Sequence, residues 1–240
     1  GSGVAVYLAA DVASTYGVWG ATRHMASRAA AAKGMDRFIA SLLARARTAP
    51  RPIPMTESGQ RLACTRTVFR RNGSMRLLGI LRNSREAQDL DPKTHTVTLQ
   101  FEQPFHVYDL VTRKYGGQTD VYRDTFTPTT HRALVLLPYE VKGVRLEIMG
   151  KQRVARGESI SLRVRLLAAS EDLAEHRLQV EVFGPDGVRQ EGYENLVVLH
   201  DGTADLRLPI ALNAIPGDWR IAVTDAISAL GATIRFTVAK

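Results

Sequence analysis

With a single cysteine, Cys64, in 240 residues, the chain can form no internal disulfide and no all-cysteine metal site, and the expected setting for that thiol is a small buried apolar position in a strand. Its six histidines never fall in His-x-x-x-His or His-Glu-x-x-His spacing, which removes the usual zinc signatures. No Gly-x-Ser-x-Gly nucleophile elbow occurs, and Gly1-Ser2-Gly3 precedes a strand instead of following one, the wrong order for a phosphate-cradling loop. No cofactor is expected. No run approaches the roughly 20 apolar residues of a membrane span. The opening stretch lacks a basic segment and is broken by Asp11, so it does not read as a signal peptide, and the missing initiator Met implies a tag scar or an internal cut of a longer polypeptide.

The chain has a net charge of +8, distributed unevenly: residues 1–150 carry 21 Lys/Arg against 12 Asp/Glu, and residues 151–240 carry 11 against 12. The arginines are scattered through alternating strands and do not cluster with aromatics, which points to solvated strand faces and away from nucleic acid.

Three segments follow from periodicity. Val4–Leu8 reads as a buried strand, and Met35, Phe38, Ile39, Leu42, Leu43 and Ala46 fall on one helical face, so residues 1–49 are expected to be the strand-helix end of an α/β domain. Pro50, Pro52 and Pro54 mark a boundary. Residues 50–149 then read as an antiparallel β-sandwich, with separate strands at Thr96–Glu102 and Phe105–Asp109, a hairpin at Asn72-Gly73 and another centred on Phe105 to Gly117. Asn72-Gly73-Ser74 is also a glycosylation sequon, but the turn already explains it. Gly150 to Gly157 reads as a linker. About seven strands in residues 150–240, among them Ser159 to Leu167 with Ile160, Leu162, Val164 and Leu166 alternating with polar residues, match an immunoglobulin-like sandwich without its cysteine pair, with Trp219 as core tryptophan. The expected fold class is therefore mainly β: two antiparallel β-sandwich domains preceded by a remnant α/β unit.

Several stretches carry a resemblance. Gly3 to Leu8, Arg76 to Asn83, His106-Val107-Tyr108-Asp109-Leu110 with Lys114-Tyr115-Gly116-Gly117, and Ala133 to Tyr139 resemble the C-terminal region of multidomain glycoside-hydrolase-like proteins with a β-galactosidase trimerisation-type, glutamine amidotransferase-like domain. Val182 to Gly187 and Pro216 to Asp225 resemble macroglobulin-type or immunoglobulin-like β domains. The resemblance implies a non-catalytic accessory region that packs against upstream domains of the same polypeptide or a second subunit, in an extracellular or periplasmic setting. No catalytic carboxylate pair can be carried over, because no barrel is present.

Among chemical candidates, Asp89 with Asp91, and Glu171-Asp172 with Glu175, are expected to be solvated. A Ser159, His176 and Asp172 triad is rejected for want of an elbow. The alternative to an accessory role is a carbohydrate-binding module: His106 and Tyr108 share one strand face and, with Tyr115 beyond the bend, would form a sugar-stacking platform, although a packing cluster is favoured.

Overall fold

A computed structural model of the chain describes residues 52–193 and 195–239; the strand-helix unit expected over residues 1–49 lies outside them. Residues Pro52–Lys240 cluster as one compact unit. The described residues are mainly β, in antiparallel sheets.

The first sheet comprises β1 (Met55–Thr56), β2 (Thr65–Asn72), β3 (Met75–Arg82), β4 (His95–Asp109), β5 (Lys114–Phe126) and β6 (His131–Leu137). Its order is β1-β4-β6-β3-β2, with β5 on the other side of β4, and it curls into a half-barrel. The curl encloses a core from alternate residues: Leu78 and Ile80 on β3, Val97, Leu99, Phe105 and Val107 on β4, and Leu134 and Leu136 on β6. Period-two alternation puts these on one face.

Three expectations are corrected here. The β2–β3 turn is real but sits one residue later: Asn72 pairs with Met75, so Gly73 and Ser74 are the central residues, and only Gly73 has positive φ (+56°), the pattern of a type II′ turn. Thr96–Glu102 and Phe105–Asp109, read as separate strands, are one strand, β4, whose irregular pairing with β5 between Gln100 and Phe105 accommodates Pro104. Cys64 lies in a turn at φ +56°, half-buried, and not inside a strand. A short helix, α1 (Ser84–Leu90), was not anticipated; the Asn83 side chain caps it by accepting from the Glu86 N–H at 3.4 Å.

The second half packs a five-stranded sheet on a three-stranded one. Strands β7 (Val141–Ile148), β9 (Ser159–Ala168) and β12 (Thr203–Pro209) form the smaller sheet; β11 (Asn195–Leu199), β10 (His176–Phe183), β13 (Gly217–Asp225), β14 (Gly231–Val238) and β8 (Arg153–Val154) form the larger. Trp219 is in the core as expected, its indole N–H donating to the Ile215 carbonyl at 2.8 Å. Two sequence assignments shift. Residues 144–149, placed from sequence in the first sandwich, belong largely to β7, which pairs with β9 of the second. The expected linker contains β8, which pairs parallel with β14 and buries Val154.

The halves share a core. Tyr108, Val135 and Leu137 point away from the half-barrel interior and pack with Tyr139, Val141, Val144 and the residues of the second sandwich. This explains why β6 is buried without a break over Leu134–Leu137: both of its faces are covered. Leu137→Ala should therefore cost about 2–5 kcal/mol, with amide-exchange protection falling together at Leu78 in the first sheet and Val180 in the second. Loss confined to one half would refute the shared core.

Candidate functional site

The hairpin between β4 and β5 brings the three aromatic candidates together. Tyr108 pairs with Tyr115 and His106 with Gln118, so β5 holds one extra residue between those pairs. That bulge contains Gly117 at φ +84°, a backbone state that only glycine adopts without strain. The paired glycines thus lie within β5; the chain reverses earlier, at Leu110–Arg113. The Tyr115 ring stacks on Tyr108 (centroids 4.9 Å apart, planes at 27°) and lies near His106, whose Nδ1 is 2.6 Å from the Tyr115 hydroxyl.

The three rings differ in exposure. Tyr108 is 2% exposed, and its hydroxyl accepts the Val141 N–H at 2.8 Å in the shared core; burial pushes its phenol up to about 12. His106 is half-buried, while Tyr115 is 45% exposed. Burial removes Tyr108 from any solvent-facing platform and leaves Tyr115 as the principal exposed ring of the three.

Cavities flank Tyr115. One, of about 320 Å³, is lined by Tyr108, Tyr115, Glu140, Lys142, Ser228 and Leu230. The other, about 300 Å³, holds an ion-pair cluster. Arg132 Nε lies 2.5 Å from Asp124 Oδ2 and 3.4 Å from Asp109 Oδ2, and the Tyr122 hydroxyl donates to Asp124 at 3.0 Å. Burial, reinforced by the Asp124 charge, raises the Tyr122 phenol. Asp109 Oδ1 also accepts from the Val111 and Thr112 N–H groups, fixing the turn into β5. These carboxylates are engaged in holding backbone and Arg132 in place.

A second polar cluster lies in the shared core. For a neutral imidazole, His176 Nδ1–H donates to Asp225 Oδ1 (2.9 Å) and Nε2 accepts the Tyr139 hydroxyl proton (3.1 Å), while the Tyr139 oxygen accepts the Ala174 N–H (2.8 Å). Asp225 Oδ2 accepts from Ser228 N–H and O–H. Both His176 and Asp225 side chains are fully buried. Burial pushes the Tyr139 phenol up to about 12. Burial works against the Asp225 charge, but the His176 hydrogen bond, with the Ser228 donors, outweighs it and holds that carboxyl below its ordinary value. In the sequence His176 is paired only speculatively with Asp172, which is exposed; its actual partner stands 49 residues away.

Asp91 also departs from expectation. It is not simply solvated: it pairs with the buried Arg82 (2.8 Å) and with His95 (2.8 Å), whose hydrogen bond lowers the Asp91 carboxyl. Asp89 lies in α1, and Glu171, Asp172 and Glu175 are exposed. Among the described residues no group of three or more His, Cys, Asp or Glu could hold a metal ion. No described helix is long and apolar enough to cross a membrane.

For Asp225 the folded-state value lies below the ordinary 3.8, so its stabilisation is complete above that pH and is lost as pH falls through the folded-state value. Asp225→Ala should destabilise by about 1–3 kcal/mol near neutrality by leaving the buried His176 and Ser228 donors without their acceptor. The variant's stability should also fall less steeply than the wild type's below pH 4; parallel acid profiles in denaturant titrations would contradict the assignment.

No family model matches the chain, and neither does any curated protein. Among solved structures it is similar to a β-glucosidase from Listeria innocua in complex with glucose, at 18% identity over 43% of this chain and 16% of that one, TM-score 0.31. It is also similar to a Salmonella alpha-2-macroglobulin, at 14% identity over 75% of this chain and 13% of that one, TM-score 0.35. The alpha-2-macroglobulin of E. coli in its native conformation gives 14% identity over 79% and 12%, TM-score 0.35. The chain thus spans less than a fifth of the length of each of these proteins.

Proposed function

We propose that this chain is a non-catalytic accessory region of a larger glycoside-hydrolase-like protein, and that it packs upstream domains of the same polypeptide or a second subunit. The observation that carries this is an exposed apolar face on the first sheet. Val68 (55% exposed) on β2 faces Gly79, with Leu77 (36%) and Leu81 (56%) diagonally beside it on β3, so three aliphatic side chains form one contiguous surface. Isolated exposed aliphatics are ordinary, whereas a contiguous group on a regular sheet gains by being covered. The clustered ionisable groups support the same reading, since Asp225, His176, Asp91 and Arg82 are spent on holding the fold. The extracellular or periplasmic setting implied by the family resemblance belongs to this proposal.

A second reading, carbohydrate binding, is favoured by one observation: Tyr115 is exposed, oriented by His106 and Tyr108, and stands between two cavities. An aromatic face beside hydrogen-bonding groups suits a sugar ring.

In the accessory reading, amide exchange over Leu77–Leu81 should slow in the complete polypeptide relative to the 240-residue chain. Turnover of an aryl glycoside by this chain, or unchanged exchange over its whole surface, would defeat it. In the carbohydrate reading, glycan-array binding should disappear on Tyr115→Ala while the folded state persists.

A further inference from the structure

The β2–β3 face lies at the end of its sheet. The sheet order ends at β2, so among the described residues the outer edge of Thr65–Asn72 has no strand beside it. An eight-residue edge strand offers a row of backbone donors and acceptors to another extended chain. Its outer-face side chains are, in order, Arg66, Val68 and Arg70, all exposed. Behind them on β3 stand Leu81, Gly79 and Leu77 as their respective partners. Any strand added at β2 must therefore meet a cation, an apolar side chain and a second cation at alternate positions.

We propose that β2 accepts an extended acidic segment of pattern acidic-x-apolar-x-acidic, which joins the sheet as a further strand; this rests on the accessory packing reading and names the chemistry of the partner. Directly opposed side chains on neighbouring strands have Cβ atoms about 4.5–5.5 Å apart, close enough for each carboxylate to meet Arg66 or Arg70 while the central apolar residue covers Val68. Because the pattern is symmetric about its centre, it serves a parallel or an antiparallel addition.

The same spacing argues against two other occupants. A second copy of this chain pairing antiparallel about Val68 would oppose Arg66 to Arg70 twice, and like charges directly opposite are destabilising. A nucleic-acid backbone would satisfy the arginines but would bring no apolar side chain against Val68. Unmatched arginines would also disfavour self-association at the vacant edge, since charged side chains are a common way of blunting an exposed strand edge.

The test uses the 240-residue chain and two capped, dye-labelled heptapeptides, Thr-Glu-Thr-Val-Thr-Glu-Thr and its counterpart with Lys in place of Glu, followed by fluorescence anisotropy at low salt. The Glu peptide should bind about tenfold more tightly than the Lys peptide, and the preference should shrink at 1 M salt, where screening acts within about 3 Å. The double variant Arg66→Glu/Arg70→Glu should reverse the preference, an outcome that misfolding cannot mimic. Equal binding of both peptides, no binding of either at millimolar concentration, preferential binding of single-stranded oligothymidylate, or dimerisation through β2 would each overturn the proposal. If the β2–β3 face is nevertheless protected in the complete polypeptide, the packing reading stands and only the partner's chemistry is wrong; if it is unprotected there, the packing reading itself fails.

Discussion

The shared core around Tyr139, His176 and Asp225 is the constraint on which the rest of the molecule depends. A carboxylate and an imidazole taken wholly out of water are tolerable only if every donor and acceptor finds a partner. Here each is met: Asp225 by His176 and Ser228, His176 by Tyr139, Tyr139 by the Ala174 backbone. These partners come from the segment leaving β6, from the approach to β10, and from the end of β13 and the turn after it. Saturating the cluster therefore fixes how those segments meet, and it does so beside Tyr108, which ties the half-barrel to β7 through the Val141 N–H.

A parallel device closes the half-barrel. Arg82 is buried at the end of β3, and its guanidinium donates to the carbonyls of Asp91, Lys93 and Phe126 and to the Asp91 carboxylate. One cation thus gathers the end of α1, the segment before β4 and the end of β5. Arg132 plays a related part further along the sheet with Asp109 and Asp124. In both places, residue types often associated with catalysis serve to position backbone.

Much of the fold was legible because burial in a half-covered sheet leaves a period of two. Ile160, Leu162, Val164 and Leu166 alternate with polar residues, and β9 runs through them as expected. Leu78, Ile80 and Arg82 follow the same alternation, so the inward direction of Arg82 was readable, but its partners were not. The α1 cap was also present in the sequence, as Asn83 followed three residues later by Glu86. The site was harder. His106, Tyr108 and Tyr115 lie together because a hairpin makes near neighbours in sequence near neighbours in space. Their exposures were not readable, because what covers Tyr108 is the second sandwich.

By itself, then, the sequence determined the β-rich class, the presence of the two hairpins, the strands β9 to β14 of the second sandwich and the burial of Trp219, since each rests on local periodicity or turn chemistry. Only the tertiary structure decided that β7 joins β9, that β8 stitches the expected linker into a sheet, and that His176 meets Asp225 across 49 residues. Strand pairing and buried polar partnership depend on which faces have to be covered and which charges have to be satisfied, and those requirements arise only when distant segments are brought out of water together.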